Sequence, residues 1–274
     1  MRVAALIRNE WIKTTRSFAF WISLIAFTAV MAIQFGQQWW TARGSTRFTF
    51  AFPSAWSDLT NDTTIVTAVF LVIVLAMLVG GEYAWKTARQ NVIDGLSKNE
   101  FFLAKVLAWL GVVLVFGVVQ MLVGGVFAAA GTPAHVGPWV GAADLAQVGG
   151  AVLCLVGLTS LGFFFTILTR NAAAGIGLFF LYLAFGENLI GLLFAHAGEG
   201  VKVALRYLPL KLFERALASW QWDPAVLAKV TEEAVKSGGN GPMPLPPLVL
   251  TACVLGWTVL AVGGAYLIFR ARDL

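Results

Sequence analysis

Charge is what this chain has least of. Of 274 residues only 12% are Asp, Glu, Lys or Arg, whereas 59% are hydrophobic and the mean hydropathy is +0.80. So few charged groups cannot cover the surface of a soluble globule, and the same balance excludes a disordered chain and a coiled coil. With only Cys154 and Cys253, a disulfide scaffold is excluded as well. Both lie inside apolar runs and read as reduced packing residues, silent about redox compartment. His135 and His196 are the only histidines, and neither has a Cys or carboxylate at ligand spacing, so no metal site is supported. What is abundant points to lipid: 28 Gly, 21 Phe and 11 Trp suit helices packed within a bilayer.

About 20 apolar residues are needed to cross roughly 30 Å of hydrocarbon, and a helix satisfies its own backbone hydrogen bonds there. Six runs qualify: Phe18–Phe35, Thr64–Gly81, Val106–Ala130, Leu145–Leu168, Ala172–Ala195 and Leu248–Phe269. The expected fold is therefore all-α, a polytopic membrane protein forming one transmembrane unit over 1–274. The longest piece outside the spans, His196–Pro247, has 52 residues, too few for an independent catalytic domain of the usual ~100–150. The first run is not a secretory signal, because the Gln34-Phe35-Gly36-Gln37-Gln38 stretch after it lacks a small-x-small cleavage site. Trp39 and Trp40 read as an interfacial anchor.

Six spans put both termini on one side. Met1–Ser17, Glu82–Lys105, Thr169–Asn171 and Arg270–Leu274 carry eleven Lys/Arg in 49 residues, against eight in 94 for the opposite segments. The positive excess assigns the first set, and both termini, to the cytoplasm. Within Met1–Ser17, Val3, Ala4, Leu6, Ile7 and Trp11 share one helical face while Arg2, Asn9, Lys13 and Arg16 gather opposite; Glu10 and Ile12 break the pattern. This segment is expected to lie in the membrane surface, held by apolar burial and by about 1 kcal/mol per basic residue near anionic lipid.

The segment Glu82–Lys105 is more elaborate than a crossing requires. It reads as a short helix from about Tyr83 to Ile93, a turn at Asp94-Gly95, and a second helix opened by a Ser97/Glu100 capping box. The run Glu82-Tyr83-x-Trp85-Lys86-Thr87-x-Arg89-Gln90, then Asp94-Gly95-Leu96-Ser97 and Phe102-Leu103-Ala104-Lys105, resembles the first cytoplasmic loop of type 2 ATP-binding-cassette (ABC) transporter permeases. The resemblance extends to Glu10-Trp11-x-Lys13 and to the Phe269-Arg270-x-Arg272-Asp273-Leu274 ending. It implies a permease without its own ATPase. It further implies a homodimer with two copies of a separate ABC ATPase subunit, surrounded by membrane lipid, with ATP and Mg bound only by that partner. The loop would be the coupling helix. Carried over by residue, ATPase contact falls on Glu82, Lys86, Arg89, Gln90, Asp94 and Lys98, with Lys13 and Arg16 as secondary contacts. The expected location is the cell membrane, multi-pass, in a bacterial inner membrane, with no nucleic-acid partner.

Two enzyme-like strings fail on physical grounds. Gly80 to Thr87 nearly spells a P-loop, but Trp85 stands where Gly must precede the Lys, and an apolar helix precedes it where a strand is needed. Gly157 to Gly162 lacks the first glycine of a nucleophile elbow, with Leu158 in its place, and neither histidine lies in a span, so Ser160 reads as a packing residue bonded to its own helix.

Glu187, followed by Asn188, is the ionisable residue deep within the fifth run. A charge at mid-bilayer costs about 2.5–3.5 kcal/mol on insertion scales, so it must face protein, water or a partner. Three expectations compete: Glu187 and Asn188 line the substrate pathway, the helix breaks there and the chain runs along the outer surface, or a protonated Glu187 is bonded inside the bundle. Beyond it, Gly200–Leu208 and Lys211–Trp220 read as amphipathic helices divided by Pro209, and Asp223-Pro224 opens another to about Lys236. Such external helices would cap the outer mouth and could gate it. The leading expectation is the permease of an ABC exporter, not an enzyme. The alternative is a stand-alone scaffold or secondary carrier, which would need coupling carboxylates at mid-bilayer and repeated halves.

Overall fold

A computed structural model describes residues 2–45, 49–60, 63–84, 97–133, 139–194, 196, 198–205, 207–219, 229, 232–233 and 247–272. Every regular element among them is helical. In chain order these are α1 (Arg2–Arg16), α2 (Phe18–Gly44), α3 (Ala55–Thr60), α4 (Thr64–Ala84), α5 (Lys98–Gly131), α6 (Ala142–Thr169) and α7 (Ala172–Leu181). A π-turn over Tyr182–Gly186 then leads into α8 (Glu187–Leu193), followed by α9 (Glu199–Leu205), α10 (Pro209–Ser219) and α11 (Pro247–Ala271).

Six of the helical stretches are long and apolar enough to cross a membrane: Phe18–Gly44, Ala55–Tyr83, Lys98–Gly131, Ala142–Thr169, Ala172–Leu193 and Leu248–Ala271. They coincide with the six expected runs; five are longer, because polar residues at their ends do not break a helix, and the fifth stops at Leu193, two residues short. The first continues through Gln34, Gln37 and Gln38 to Gly44, and Trp39 stacks under the Arg43 guanidinium, 4.1 Å from its ring centre, while Trp40 is exposed.

Local chemistry sets the boundaries. Ser97 caps α5 as expected: its hydroxyl accepts from the Glu100 N–H, and the Glu100 carboxylate accepts from the Ser97 N–H at 3.0 Å. The Asn171 side chain caps α7 by accepting from the Ala174 N–H at 3.1 Å. Just before it, Arg170 adopts the left-handed conformation that lets α6 and α7 reverse in two residues.

The helix α6 is the axis of the bundle, packed by α4, α7, α10 and α11. Of its most apolar window 67% is buried, against 11% for Ala172–Leu193, so the fifth span is peripheral while the fourth is core. Near one end of the bundle a ladder of polar side chains is paired internally. The Gln120 amide donates to the Leu59 carbonyl at 2.7 Å and to the Thr63 hydroxyl, the Thr67 hydroxyl donates back to Gln120, and Gln147 donates to Thr60 at 2.9 Å. In a low-dielectric interior each unmade bond would cost several kcal/mol, on the order of that of an orphaned backbone group.

Candidate functional site

At the end of the bundle that holds α1, four charges close on one another. Lys105, one residue before the expected third span and two turns inside α5, is 6% exposed. Its ammonium donates to the Glu10 carboxylate of α1 and, at 2.5 Å, to the Glu82 carboxylate near the end of α4. Lys13 donates to the same two carboxylates at 2.9 and 3.2 Å. The cluster holds two positive and two negative groups and so is neutral as a set. Neutrality matters because a buried ammonium without partners carries a penalty of several kcal/mol. Burial opposes ionisation of Glu10, yet the charge of Lys105 and its hydrogen bond, joined by those of Lys13, hold the carboxyl below its ordinary value. Burial likewise opposes the charge of Lys13, and the bond to Glu10 with the charge of Glu82 overcomes it, raising that ammonium's pKa.

This cluster explains the break in the pattern of α1. Its buried face holds Glu10 and Thr14, one turn apart, and the Trp11 ring beside them lies 3.1 Å from where a Cβ on Gly111 of α5 would be, while Ile7 and Ile12 are exposed. Glu10 interrupts the amphipathic pattern because it lies on the face turned toward α5. Sequence reasoning missed Glu10 and Lys105 as a site. The available signals were a carboxylate out of phase with its helix and a lysine two turns inside an otherwise apolar one.

The other expected contact residues divide. Lys86, Arg89, Gln90 and Asp94 lie outside the described residues. Glu82 and Lys13 have their charges partnered within the cluster. The Lys98 ammonium donates to the carbonyls of Arg270 and Arg272 at 3.4 and 3.3 Å, tying the start of α5 to the last turn of α11. Arg272 in turn donates to the Leu168 carbonyl at 2.8 Å. Arg16 is exposed. The structure thus brings together Glu82, Lys13 and two residues not expected, Glu10 and Lys105.

Glu187 departs from the pathway and from the break, and is bonded inside the bundle. The fifth helix does not end there; it widens into the π-turn and continues to Leu193. Nor is the carboxylate open to a pathway. It is 3% exposed, and its oxygens accept from the Tyr182 hydroxyl at 2.8 Å and from the backbone N–H groups of Leu210 at 2.5 Å and Lys211 at 3.0 Å. Those two N–H groups are unpaired donors of the first turn of α10, whose first residue is Pro209. Glu187 therefore caps a helix that follows it by more than twenty residues, while Asn188 is exposed.

The expected break at Pro209 is present, but α10 does not lie on an outer surface. Leu212, Phe213, Ala216 and Leu217 are buried between α6 and α11. Phe213 sits against Gly157, where a Cβ would come within 2.8 Å of the ring. Gly157 is fifteen residues from the start of α6, some ~22 Å along the helix axis at 1.5 Å per residue. The Trp257 indole, in the middle of α11, donates to the Tyr207 carbonyl at 2.8 Å, so α10 re-enters the bundle to about half its depth. Cys154 is a free thiol beneath it, 3.7 Å from the Phe213 carbonyl. Ser160 donates to the Gly157 carbonyl of its own helix at 2.6 Å, as a packing residue should. Of the helix expected to reach Lys236, only Lys229, Glu232 and Glu233 are described.

Among the described residues no group of His, Cys, Asp and Glu is placed to hold a metal ion. A family model described as "ABC-2 family transporter protein" matches residues 6–186. No curated protein matches the chain. The matched range contains all four members of the charge cluster and stops one residue short of Glu187.

Proposed function

The chain belongs to the ABC-2 transporter family, and from that premise we propose that it is the membrane-spanning permease of an ABC exporter, driven by a separate ATPase subunit through the loop between α4 and α5. Family membership makes it a membrane permease of an ABC transporter; the drive, the direction and the stoichiometry are the proposal. Two copies of this chain pair with two ATPase subunits, which bind ATP and Mg. Both termini and the α4–α5 loop face the cytoplasm, in keeping with the excess of Lys and Arg on that side.

The observation that carries this reading is the charge cluster. The two stems of the loop, Glu82 on α4 and Lys105 on α5, are joined to each other and to α1. A push on the loop therefore reaches the second and third spans and the interfacial helix together, as a rigid element biased between two arrangements. Lys86, Arg89, Gln90 and Asp94 supply the surface that meets the ATPase; Glu82, Lys13 and Lys98 hold the base of the loop. The secondary-carrier alternative loses its best candidate, since the Glu187 carboxylate is engaged as a helix cap and is not poised to bind a coupling ion.

The test is recovery of the ATPase subunit on the affinity-tagged chain. Wild type should retain it, and the Lys86→Glu, Arg89→Glu double variant should lose most of it. Equal recovery from both would remove these residues from the contact.

A further inference from the structure

The re-entrant helix α10 is held in two chemically different ways. Toward α6 and α11 its contacts are mostly apolar: Phe213 on Gly157, with Leu212, Ala216 and Leu217 beside it. Toward the fifth span the contact is ionic, a single carboxylate bonded to two backbone N–H groups. Apolar faces can slide past one another in a membrane at small cost, because lipid is as apolar as the seat they leave. A carboxylate at depth cannot give up its donors so easily, since nothing in hydrocarbon replaces them. A helix N-terminus and an anion moreover stabilise each other directly.

The π-turn is what makes this anchor. In a regular α-helix residues five apart point about 140° away from one another, so Tyr182 and Glu187 would not meet. Over Tyr182–Gly186 the widened turn brings the Tyr182 hydroxyl onto the Glu187 carboxylate. Gly186 is required for it: a Cβ there would lie 2.5 Å from the Tyr182 ring. Lys211, the next residue after the first capped N–H, lays its ammonium 3.8 Å from where a Cβ on Gly191 would be. The contact thus continues along α8.

We propose that the Tyr182–Gly186–Glu187 turn fastens α10 to the fifth span, so that α10 is a plug that travels with that span and leaves its seat on α6 and α11 during the transport cycle. Glu187 is accordingly a positioning residue for a gate, not a ligand for substrate. The inference rests on the ATP-driven reading above for the movement, though not for the attachment.

Cys154 reports on the seat, being fully buried beneath α10. In a Cys253→Ser background, its alkylation by N-ethylmaleimide is followed in the reconstituted permease–ATPase complex, nucleotide-free and trapped with ATP and vanadate. In parallel a Gly191→Cys variant is joined to the native Lys211 by a short thiol-to-amine cross-linker. The proposal expects Cys154 to be alkylated faster in the trapped state while the 191–211 cross-link forms equally in both. A cross-link that falls as Cys154 opens would overturn it, because α10 would then have left the fifth span. Unchanged Cys154 would also overturn it where protease protection of the α4–α5 loop does respond to trapping. Were the loop and Cys154 both unresponsive, the ATP-driven reading itself would fail. Attachment alone is tested without nucleotide. Glu187→Ala and Gly186→Ala should each cut the yield of the 191–211 cross-link several-fold, on the order of the loss of a helix cap, and Asn188→Ala should not. Equal yields in all three, in protein that remains monodisperse, would refute the anchor.

Discussion

Replacing Lys105 by Met, which is close to it in length, removes one ammonium and leaves Glu10 and Glu82 facing each other. The side chains of both carboxylates are 11% exposed, so water screens them poorly, and Lys13, whose side chain is 47% exposed, remains as the single counter-charge. Breaking a buried ion pair from one side costs about 3–5 kcal/mol, and with Lys13 still present the lower end applies, about 3 kcal/mol. At roughly 2–4 °C per kcal/mol for a chain of this size class, the apparent Tm should fall by about 6–12 °C. The assay is thermal unfolding of the detergent-purified protein at a fixed scan rate. The triple variant Lys105→Met, Glu10→Gln, Glu82→Gln, which removes the three buried charges and leaves only the half-exposed Lys13, should recover most of that loss, as should the swap Lys105→Glu with Glu10→Lys relative to Lys105→Glu alone. A Lys105→Met protein as stable as wild type, or a swap no better than its single parent, would refute the cluster as the clamp on the loop stems.

The pH dependence follows from the same groups. Glu10 has a lowered pKa, so its contribution is present above the ordinary value of 4.5 and is lost as pH falls through the depressed one. Lys13 has a raised pKa, so its contribution is complete below 10.5 and disappears only as pH rises through the elevated one. Acid unfolding of wild type should therefore be steeper below 4.5 than that of Glu10→Gln; parallel curves would contradict the pairing. Ser97→Ala should cost about 1 kcal/mol through loss of the α5 cap, measured as a lower apparent Tm. Gly157→Leu should drive Phe213 out of its seat, raising Cys154 alkylation without nucleotide.

Much of the architecture was legible in the sequence because spanning helices are selected by length and apolarity alone. All six were placed from runs such as Leu145–Leu168, and Ser97 with Glu100 marked the start of α5 because a capping box is a local interaction. What was not legible depends on contacts between distant segments. Glu10 read as a defect in α1 until Lys105, 95 residues away, appeared opposite it. Glu187 suggested a pathway or a break because its partners, Leu210 and Lys211, stand more than twenty residues on and use backbone groups that no side-chain pattern advertises. The depth of α10 was hidden for a related reason. An amphipathic helix looks the same whether its apolar face meets lipid at the surface or a glycine notch in the middle of another helix.

The central claim, that a separate ATPase drives this chain through its α4–α5 loop, is tested most directly by nucleotide turnover in lipid nanodiscs. The purified chain alone should hydrolyse no ATP, and it should alter the rate of its ATPase partner when the two are combined. That change should vanish with the Lys86→Glu, Arg89→Glu variant. Turnover by the chain alone, or a partner rate indifferent to its presence, would contradict the account.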